Sequence, residues 1–118
     1  FLTVPAAIKF QERNRWDKVR TACHSLAKDA QQRICELTGL APLHSSADNW
    51  FAQLTAVTLP VDKDLVALKA SLYDEHRIEV PLIAWNNMKL IRVSIQGYNS
   101  KRDLDHLLKA LSVLLDKK

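Results

Sequence analysis

The chain of 118 residues has few of the residue types that build several common kinds of site. Its two glycines, Gly39 and Gly97, exclude a glycine-rich phosphate-binding loop. Its two cysteines, Cys23 and Cys35, form no CxxC motif, which excludes the usual structural zinc sites. Both fall on one predicted helix, about 18 Å apart along its axis, so they cannot form a disulfide and we interpret them as packing residues. Free thiols favour a reducing compartment, and we expect a cytoplasmic protein.

Long apolar runs and clusters of basic residues are also missing. No run approaches the roughly 20 apolar residues of a membrane helix, so no membrane partner is expected. The 17 basic and 13 acidic residues give a net charge of +4, and no basic run exceeds two residues. This pattern favours a solvated surface over a nucleic-acid interface. The histidines lack metal-ligand spacing, so no metal site is expected; they are His24, His44, His76 and His106.

The remaining composition, with 47% hydrophobic residues, is that of one globular domain spanning residues 1–118. Thr3 and Pro5 suit the start of a short helix. A second, longer helix is predicted from apolar residues at spacings of three and four: Trp16, Val19, Cys23, Leu26, Ala30, Ile34 and Leu37. We expect Asn14 to cap its start and Gly39 to end it.

Two further helices follow the same logic. Asp62 is expected to cap a helix that runs through Leu65, Leu68 and Leu72 to about Tyr73. Ser100 and Asp103 are expected to start the last helix. That helix carries one leucine-rich face: Leu104, Leu107, Leu108, Leu111, Leu114 and Leu115.

Strands are predicted at about 51–59, 77–85 and 88–96. Trp50 and Phe51 open the first and are expected to anchor it in the core, with contact to another domain as the alternative. Asn86 and Asn87 suit a tight hairpin turn, and Pro81 indicates an edge strand or a bulge. The order α–α–β–α–β–β–α predicts an α+β fold, a small and mainly antiparallel three-stranded sheet with helices packed on one face.

The hairpin register determines where Arg92 points. With Asn86 and Asn87 as turn residues, Trp85 pairs with Met88, and opposed residues share a face. One face is almost wholly apolar: Ile78, Val80, Leu82, Ala84, Lys89, Ile91, Val93 and Ile95. Arg92 lies on the other face. Two interpretations remain: an ion pair with its diagonal neighbour Glu79, or a clamp for a carboxylate.

Four segments carry a resemblance to a known family: "VPAAIKFQERNRW", "FAQLTAVTLP", "LYDEHRIEVPLIAW" and "IRVSIQGYNSKRDLDHLLKAL". They resemble the C-terminal small domain of class V aminotransferase-type enzymes, which depend on pyridoxal phosphate and have the fold type I architecture. The isopenicillin N epimerase-like branch is the most similar. The resemblance spans nearly the whole chain, and its "RVSIQGYN" block is its most specific part.

The resemblance implies that Arg92 holds the α-carboxylate of an amino-acid substrate. It gives Ser94, Tyr98 and Asn99 mainly structural roles; we expect Tyr98 to be a packing residue and Gly97 to permit the bend before the last helix. Racemisation, elimination and transamination at the α-carbon all remain open. No cysteine lies between positions 74 and 92, which disfavours the persulfide chemistry of the family's desulfurases.

The family's large domain, which holds the cofactor through a lysine, has no counterpart in this sequence: no histidine is followed by lysine. We therefore expect no catalytic residue, no bound cofactor and no catalysis in this chain alone. The missing initial methionine also leads us to expect a longer parent. Its expected partners are the large pyridoxal-phosphate domain, an amino-acid substrate and a second copy in a homodimer. The alternative is a stand-alone, non-catalytic α+β binding module.

Overall fold

The computed structural model describes residues 3–44 and 50–116. Its elements follow the predicted order: α1 (Val4–Arg13), α2 (Trp16–Thr38), β1 (Leu54–Leu59), α3 (Leu65–Asp74), β2 (Leu82–Trp85), β3 (Met88–Ser94) and α4 (Lys101–Asp116). The fold is α+β, as predicted. No helix in the described ranges has the length and apolar character needed to cross a membrane.

The sheet is antiparallel with strand order β1-β3-β2, so β3 lies in the middle. The predicted hairpin register is confirmed, because Trp85 pairs with Met88. Asn86 and Asn87 both adopt positive φ, 48° and 59°, as a primed two-residue turn requires. The edge position indicated by Pro81 is also confirmed, since β2 borders only β3.

All three strands are shorter than the predicted ranges. The first begins at Leu54 rather than at 51, and the third ends at Ser94 rather than at 96. The second begins at Leu82 rather than at 77. Pro81 has no N–H to donate to the neighbouring strand, which explains why regular pairing begins only after it. The segment 78–81 therefore runs beside β3 without forming a strand.

Side chains of one sheet face form the core with α2, α3 and α4. From β1 and β3, this face contributes Val57, Leu59, Ile91 and Val93, each at most 4% exposed. The helices contribute small and branched residues that are each at most 6% exposed: Ala27, Ala30, Ile34, Leu68, Leu72, Leu104, Leu107 and Leu111. Arg92 lies between two of the buried β3 residues and so must point to the opposite face.

Helix α1 extends away from this core. None of its residues is buried, and Val4, Ile8 and Phe10 are each more than half exposed. It contacts α2 through the rings of Phe10 and Trp16, whose centroids are 5.7 Å apart, and through a hydrogen bond that Arg20 donates to Gln11 Oε1 at 2.8 Å. The helix therefore presents an apolar surface that the described residues do not cover.

Two predicted helix caps are wrong by a few residues. Asn14 ends α1 instead of starting α2: its Nδ2 donates to the Phe10 carbonyl at 2.8 Å, and Arg15 precedes α2 in a left-handed conformation. The cap of α3 is Asp64 rather than Asp62. Gly39 ends α2 with φ 69°, as predicted.

Of the two aromatic residues expected to anchor the first strand in the core, only Phe51 does so. Phe51 is half-buried and packs against the core, while Trp50 is 63% exposed. Trp50 stacks on His44, with ring centroids 6.4 Å apart and an interplanar angle of 11°. The expectation for Trp50 is therefore wrong within this chain, because the ring packs on a loop and not on the sheet.

The two faces of the sheet should differ in their sensitivity to substitution. Ile91→Ala removes a fully buried side chain and should lower the free energy of unfolding by about 2–5 kcal/mol. Ile83→Ala, on the opposite face and only half-buried, should cost roughly half of that or less. Urea denaturation of the 118-residue chain measures both, and equal losses would contradict this assignment of the faces.

Candidate functional site

A groove of about 330 Å³ lies at the edge of the sheet where β2 stops pairing with β3. Its walls are the segment 77–81, the end of β3 and the first turns of α4. Polar and charged side chains from all three walls line it: Arg77, Glu79, Arg92, Ser94, Asn99, Ser100, Asp103 and His106. Its volume is in the range of small-molecule sites.

The end of α3 sets the direction of the segment 77–81, which is the first wall of the groove. The Arg77 N–H donates to the Tyr73 carbonyl at 3.1 Å, and the Ile78 N–H donates to the Leu72 carbonyl at 2.9 Å. The first of these bonds is the one that defines an αL helix end, in which a residue beyond the helix cap, here Arg77, is left-handed. Arg77 has φ 57°, a position that glycine usually occupies.

The second wall is β3 at the point where its partner ends. The Arg92 N–H donates to the Pro81 carbonyl at 3.0 Å, which is the last bond between β3 and the preceding segment. Pro81 returns no bond because it has no N–H. By the alternation of the ladder, the Ser94 N–H points to the same side, and no described residue accepts from it. A backbone donor therefore faces the groove next to Arg92.

A tight turn connects β3 to α4. Asn99 closes it, with its Oδ1 accepting from the Gln96 N–H at 2.8 Å. Gly97 has ordinary backbone angles, so the bend does not depend on a positive φ. A Cβ at this position would lie 3.0 Å from the Val19 Cγ1, so contact with α2 is what favours glycine here. Gly97 was expected to permit the bend before the last helix, but its close contact with Val19 is the reason that a side chain is disfavoured there.

The start of α4 forms the third wall and uses a reciprocal cap. Asp103 Oδ2 accepts from both the backbone N–H and the hydroxyl of Ser100, at 2.8 and 2.9 Å. These two hydrogen bonds hold the pKa of the Asp103 carboxyl below its usual value of 3.8. The predicted start of the helix is confirmed. The carboxylate is engaged in capping and is not available as a free anion.

His106 fixes α4 to the end of α3. Its Nε2 donates to the His76 carbonyl at 2.8 Å, and the two imidazole rings meet edge to face with centroids 6.5 Å apart. The hydrogen bond assigns a structural task to His106, although it lines the groove. Within residues 3–44 and 50–116, no group of three or more His, Cys, Asp or Glu could hold a metal ion.

Arg92 is exposed and is one of the residues that line the groove. The structure gives it no ion pair or side-chain hydrogen bond with any described residue. The ion pair between Arg92 and Glu79, which was one of the two interpretations of Arg92, is therefore not formed. An exposed arginine has a planar set of donors suited to a carboxylate, and here nothing within the chain competes for them.

Exposed apolar side chains lie on the same face of the sheet as Arg92. Leu54 and Trp85 on this face are 47% and 60% exposed. Tyr98, beyond the end of β3, is 84% exposed, so the expectation that it is a packing residue is wrong within this chain. Exposed apolar and aromatic residues on one face are typical of a surface that another domain or protein covers.

The residues that line the groove do not fit a pyridoxal-phosphate site. No described lysine lines it, and neither of the two glycines belongs to a phosphate-binding loop. The groove offers donors for an anion but no amine to hold the cofactor's aldehyde. This groove therefore offers no group that would hold the cofactor's aldehyde.

Sequence reasoning identified Arg92 and missed two other features of the groove. Arg77 was overlooked because its left-handed backbone depends on where α3 ends. The free Ser94 N–H depends on the loss of pairing at Pro81, which the strand prediction placed within a longer strand. The sequence does contain one indication of this position. No glycine follows the predicted end of α3, so another residue has to adopt the left-handed conformation that glycine usually takes there.

Comparison with known proteins gives two relatives with the same name. An isopenicillin N epimerase of Amycolatopsis lactamdurans is 32% identical over 114 residues, which are 97% of this chain and 29% of that protein. An isopenicillin N epimerase of Streptomyces clavuligerus is 24% identical over 114 residues, again 97% of this chain and 29% of that protein. The chain thus spans about 29% of the length of these relatives. No protein-family model matches it.

The contribution of Asp103, which caps α4, to the free energy of unfolding should depend on pH. Because the folded pKa of Asp103 is lowered, its contribution is complete above the usual value of 3.8 and disappears as the pH falls through the lowered folded value. Asp103→Asn should therefore destabilise the chain at neutral pH, and its difference from wild type should shrink below about pH 4. Chemical denaturation across this range measures it; a difference that stays constant with pH would contradict the assignment.

The left-handed position of Arg77 can be tested by two substitutions. Arg77→Gly and Arg77→Ala both remove the guanidinium, but only glycine adopts positive φ without strain. The glycine variant should be more stable than the alanine variant by about 1 kcal/mol in thermal or urea denaturation. An alanine variant that equals or exceeds it would show that the motif at the end of α3 is not as described.

Proposed function

We propose that this chain forms the C-terminal substrate-binding domain of a pyridoxal-phosphate-dependent enzyme of the isopenicillin N epimerase type, acting at the α-carbon of an amino acid. In this proposal Arg92 binds the substrate's carboxylate. Relatives of that name align with 97% of the chain, and the resemblance of the "RVSIQGYN" block supports the role of Arg92.

The single observation that carries the proposal is the unpaired guanidinium of Arg92 beside a groove. Arg33, by comparison, is engaged by Asp105 at 2.6 Å. Arg92 has no such partner in the described part of the chain. It is held on the central strand by backbone pairing on both sides, so its position is rigid while its head group is free.

The carboxylate is bound by two kinds of donor. The guanidinium of Arg92 donates two parallel hydrogen bonds, and the Ser94 N–H at the same edge offers a third donor. Both groups belong to one strand, so the backbone positions from which they approach the ligand are fixed before it arrives. This arrangement orients the α-carbon of the substrate and supplies no acid or base.

The remainder of the proposed enzyme supplies what this chain lacks. When bound there, pyridoxal phosphate withdraws electrons from the α-carbon and makes its proton acidic. The exposed residues around Arg92, including Leu54 and Trp85, would then be covered by the cofactor domain, which closes the cleft and excludes water. Homodimer formation and a cytoplasmic location are part of the same proposal.

A stand-alone binding module is the second candidate. The apolar and aromatic exposure beside Arg92 favours it as well, since an open sheet face can bind a protein partner. The two candidates differ in cofactor content. A purified full-length protein with visible absorption that borohydride bleaches supports the enzyme, while a colourless protein of 13.4 kDa supports the module.

Substitution of Arg92 should impair substrate binding without unfolding the protein. Arg92→Gln in the full-length enzyme should lower kcat/KM roughly 10- to 100-fold or more, because charge-assisted hydrogen bonds to the carboxylate are lost. Arg92→Lys should recover only part of this loss, since an ammonium group cannot form the bidentate pair. Steady-state kinetics with an amino-acid substrate measures both variants.

Arg102→Gln is the matched control for charge. Arg102 is exposed on α4 and does not line the groove, so this variant should keep wild-type kinetics and a wild-type melting temperature. Unchanged kinetics in Arg92→Gln would overturn the proposed role of Arg92.

A further inference from the structure

Helix α1 has an apolar side that the described residues leave uncovered. Val4 and Ile8 are four residues apart, so they share one side of the helix, and each is 53% exposed. Phe10 follows Ile8 by two residues, which places it about 200° around the axis, where it contacts Trp16. Helix α2 thus packs on the Phe10 side and leaves the side of Val4 and Ile8 in solvent.

A helix of this length does not hold its shape by itself. It has ten residues, no side-chain hydrogen bond caps its start at Thr3, and none of its residues is buried. Isolated helices shorter than about 12–15 residues are marginal in water, so most of their stability has to come from packing of an apolar side. The side of α1 that carries Val4 and Ile8 therefore requires a surface beyond α2.

The junction between α1 and α2 fixes the direction in which α1 extends. The Asn14 N–H donates to the Phe10 carbonyl at 3.1 Å, and the Arg15 N–H donates to the Glu12 carbonyl at 3.2 Å. The radius of gyration is 16.1 Å, whereas a compact domain of this length has about 13.5 Å. The longest dimension is 52 Å against 31 and 27 Å for the others. Helix α1 is thus an arm, residues 4–13, that stands out from the core.

The relatives show how much protein could lie against this arm. Both alignments include 114 of the 118 residues, so they contain most or all of α1. The aligned part is only 29% of each relative. In both relatives the counterpart of α1 therefore belongs to a polypeptide more than three times as long as this chain.

The size of the arm argues against a second copy as its partner. A helix of ten residues is about 15 Å long and 10–12 Å wide. One side of it is far smaller than the roughly 800 Å² that each partner contributes to a stable interface between separate molecules. A surface in the same polypeptide is held nearby by the chain itself, so a small apolar contact is enough.

We infer that the arm docks through Val4 and Ile8 on an apolar surface of the remaining part of the same polypeptide. The inference rests on the proposed function only in that this chain is one domain of a longer protein. The contact is separate from the surface around Arg92, because no residue of α1 lines the groove. Two contacts, one at the arm and one beside the groove, then hold this domain against the rest of the enzyme.

The test measures thiol accessibility in the full-length protein. Ile8→Cys places a small apolar thiol on the uncovered side of the arm. Its labelling by N-ethylmaleimide in the native protein should be roughly tenfold or more slower than in denaturant, since a covered thiol reacts only through local opening. Peptide mass spectrometry at position 8 separates this label from that of every other cysteine.

Val113→Cys is the matched control. Val113 is also a β-branched residue within a helix, and it is 46% exposed on α4. Its native labelling rate should stay near that of an exposed thiol. Equal native rates at positions 8 and 113 would overturn the inference. Protection of position 8 that disappears when the protein is diluted to a monomer would also overturn it, because a second copy would then cover the arm.

The inference and the proposed function can fail separately. Fast labelling at position 8, with impaired kinetics in Arg92→Gln, would overturn the docking of the arm and leave the role of Arg92 intact. Slow labelling at position 8 in a longer protein without the visible absorption of the cofactor would support the arm and contradict the proposed enzyme. A natural protein of only 13.4 kDa would contradict both.

Discussion

The alternation of side chains along β3 is the constraint on which the rest of the molecule depends. Successive residues of a strand point to opposite faces, so Ile91 and Val93 must enter the core if Arg92 is to leave it. Burial of these two side chains under α2 and α4 fixes the register, and a slip by one residue would place the guanidinium in the apolar core. The core thus determines the direction of Arg92 more strongly than any contact of Arg92 itself.

The groove exists because regular pairing is interrupted beside this strand. Pro81 ends the ladder to β2, the left-handed turn at Arg77 directs the chain away from α3, and α4 begins across the gap. Each wall is stabilised by backbone bonds or caps of its own. The backbone of the groove is consequently held by structure that does not require a ligand.

Much of this arrangement could be predicted from local patterns. Asn86-Asn87 fixed the hairpin register, and the register placed Arg92 on the open face before any tertiary information was available. Helix caps were less predictable. Asp62 and Asp64 are both suitable N-cap residues for α3, and only the hydrogen bonds in the structure show that Asp64 is the cap. The left-handed conformation of Arg77 could not be predicted, because it depends on the exact residue at which α3 ends. For Gly97 the determining contact is with α2, which is distant in sequence.

We propose that Arg92 binds the carboxylate of an amino acid at this groove. A crystal structure of the full-length protein with a bound amino acid would decide this. We expect two carboxylate oxygens within hydrogen-bond distance of the Arg92 guanidinium, with the Ser94 N–H directed at the same group. A carboxylate held by other residues, with Arg92 paired to a protein side chain, would overturn the proposed role of Arg92.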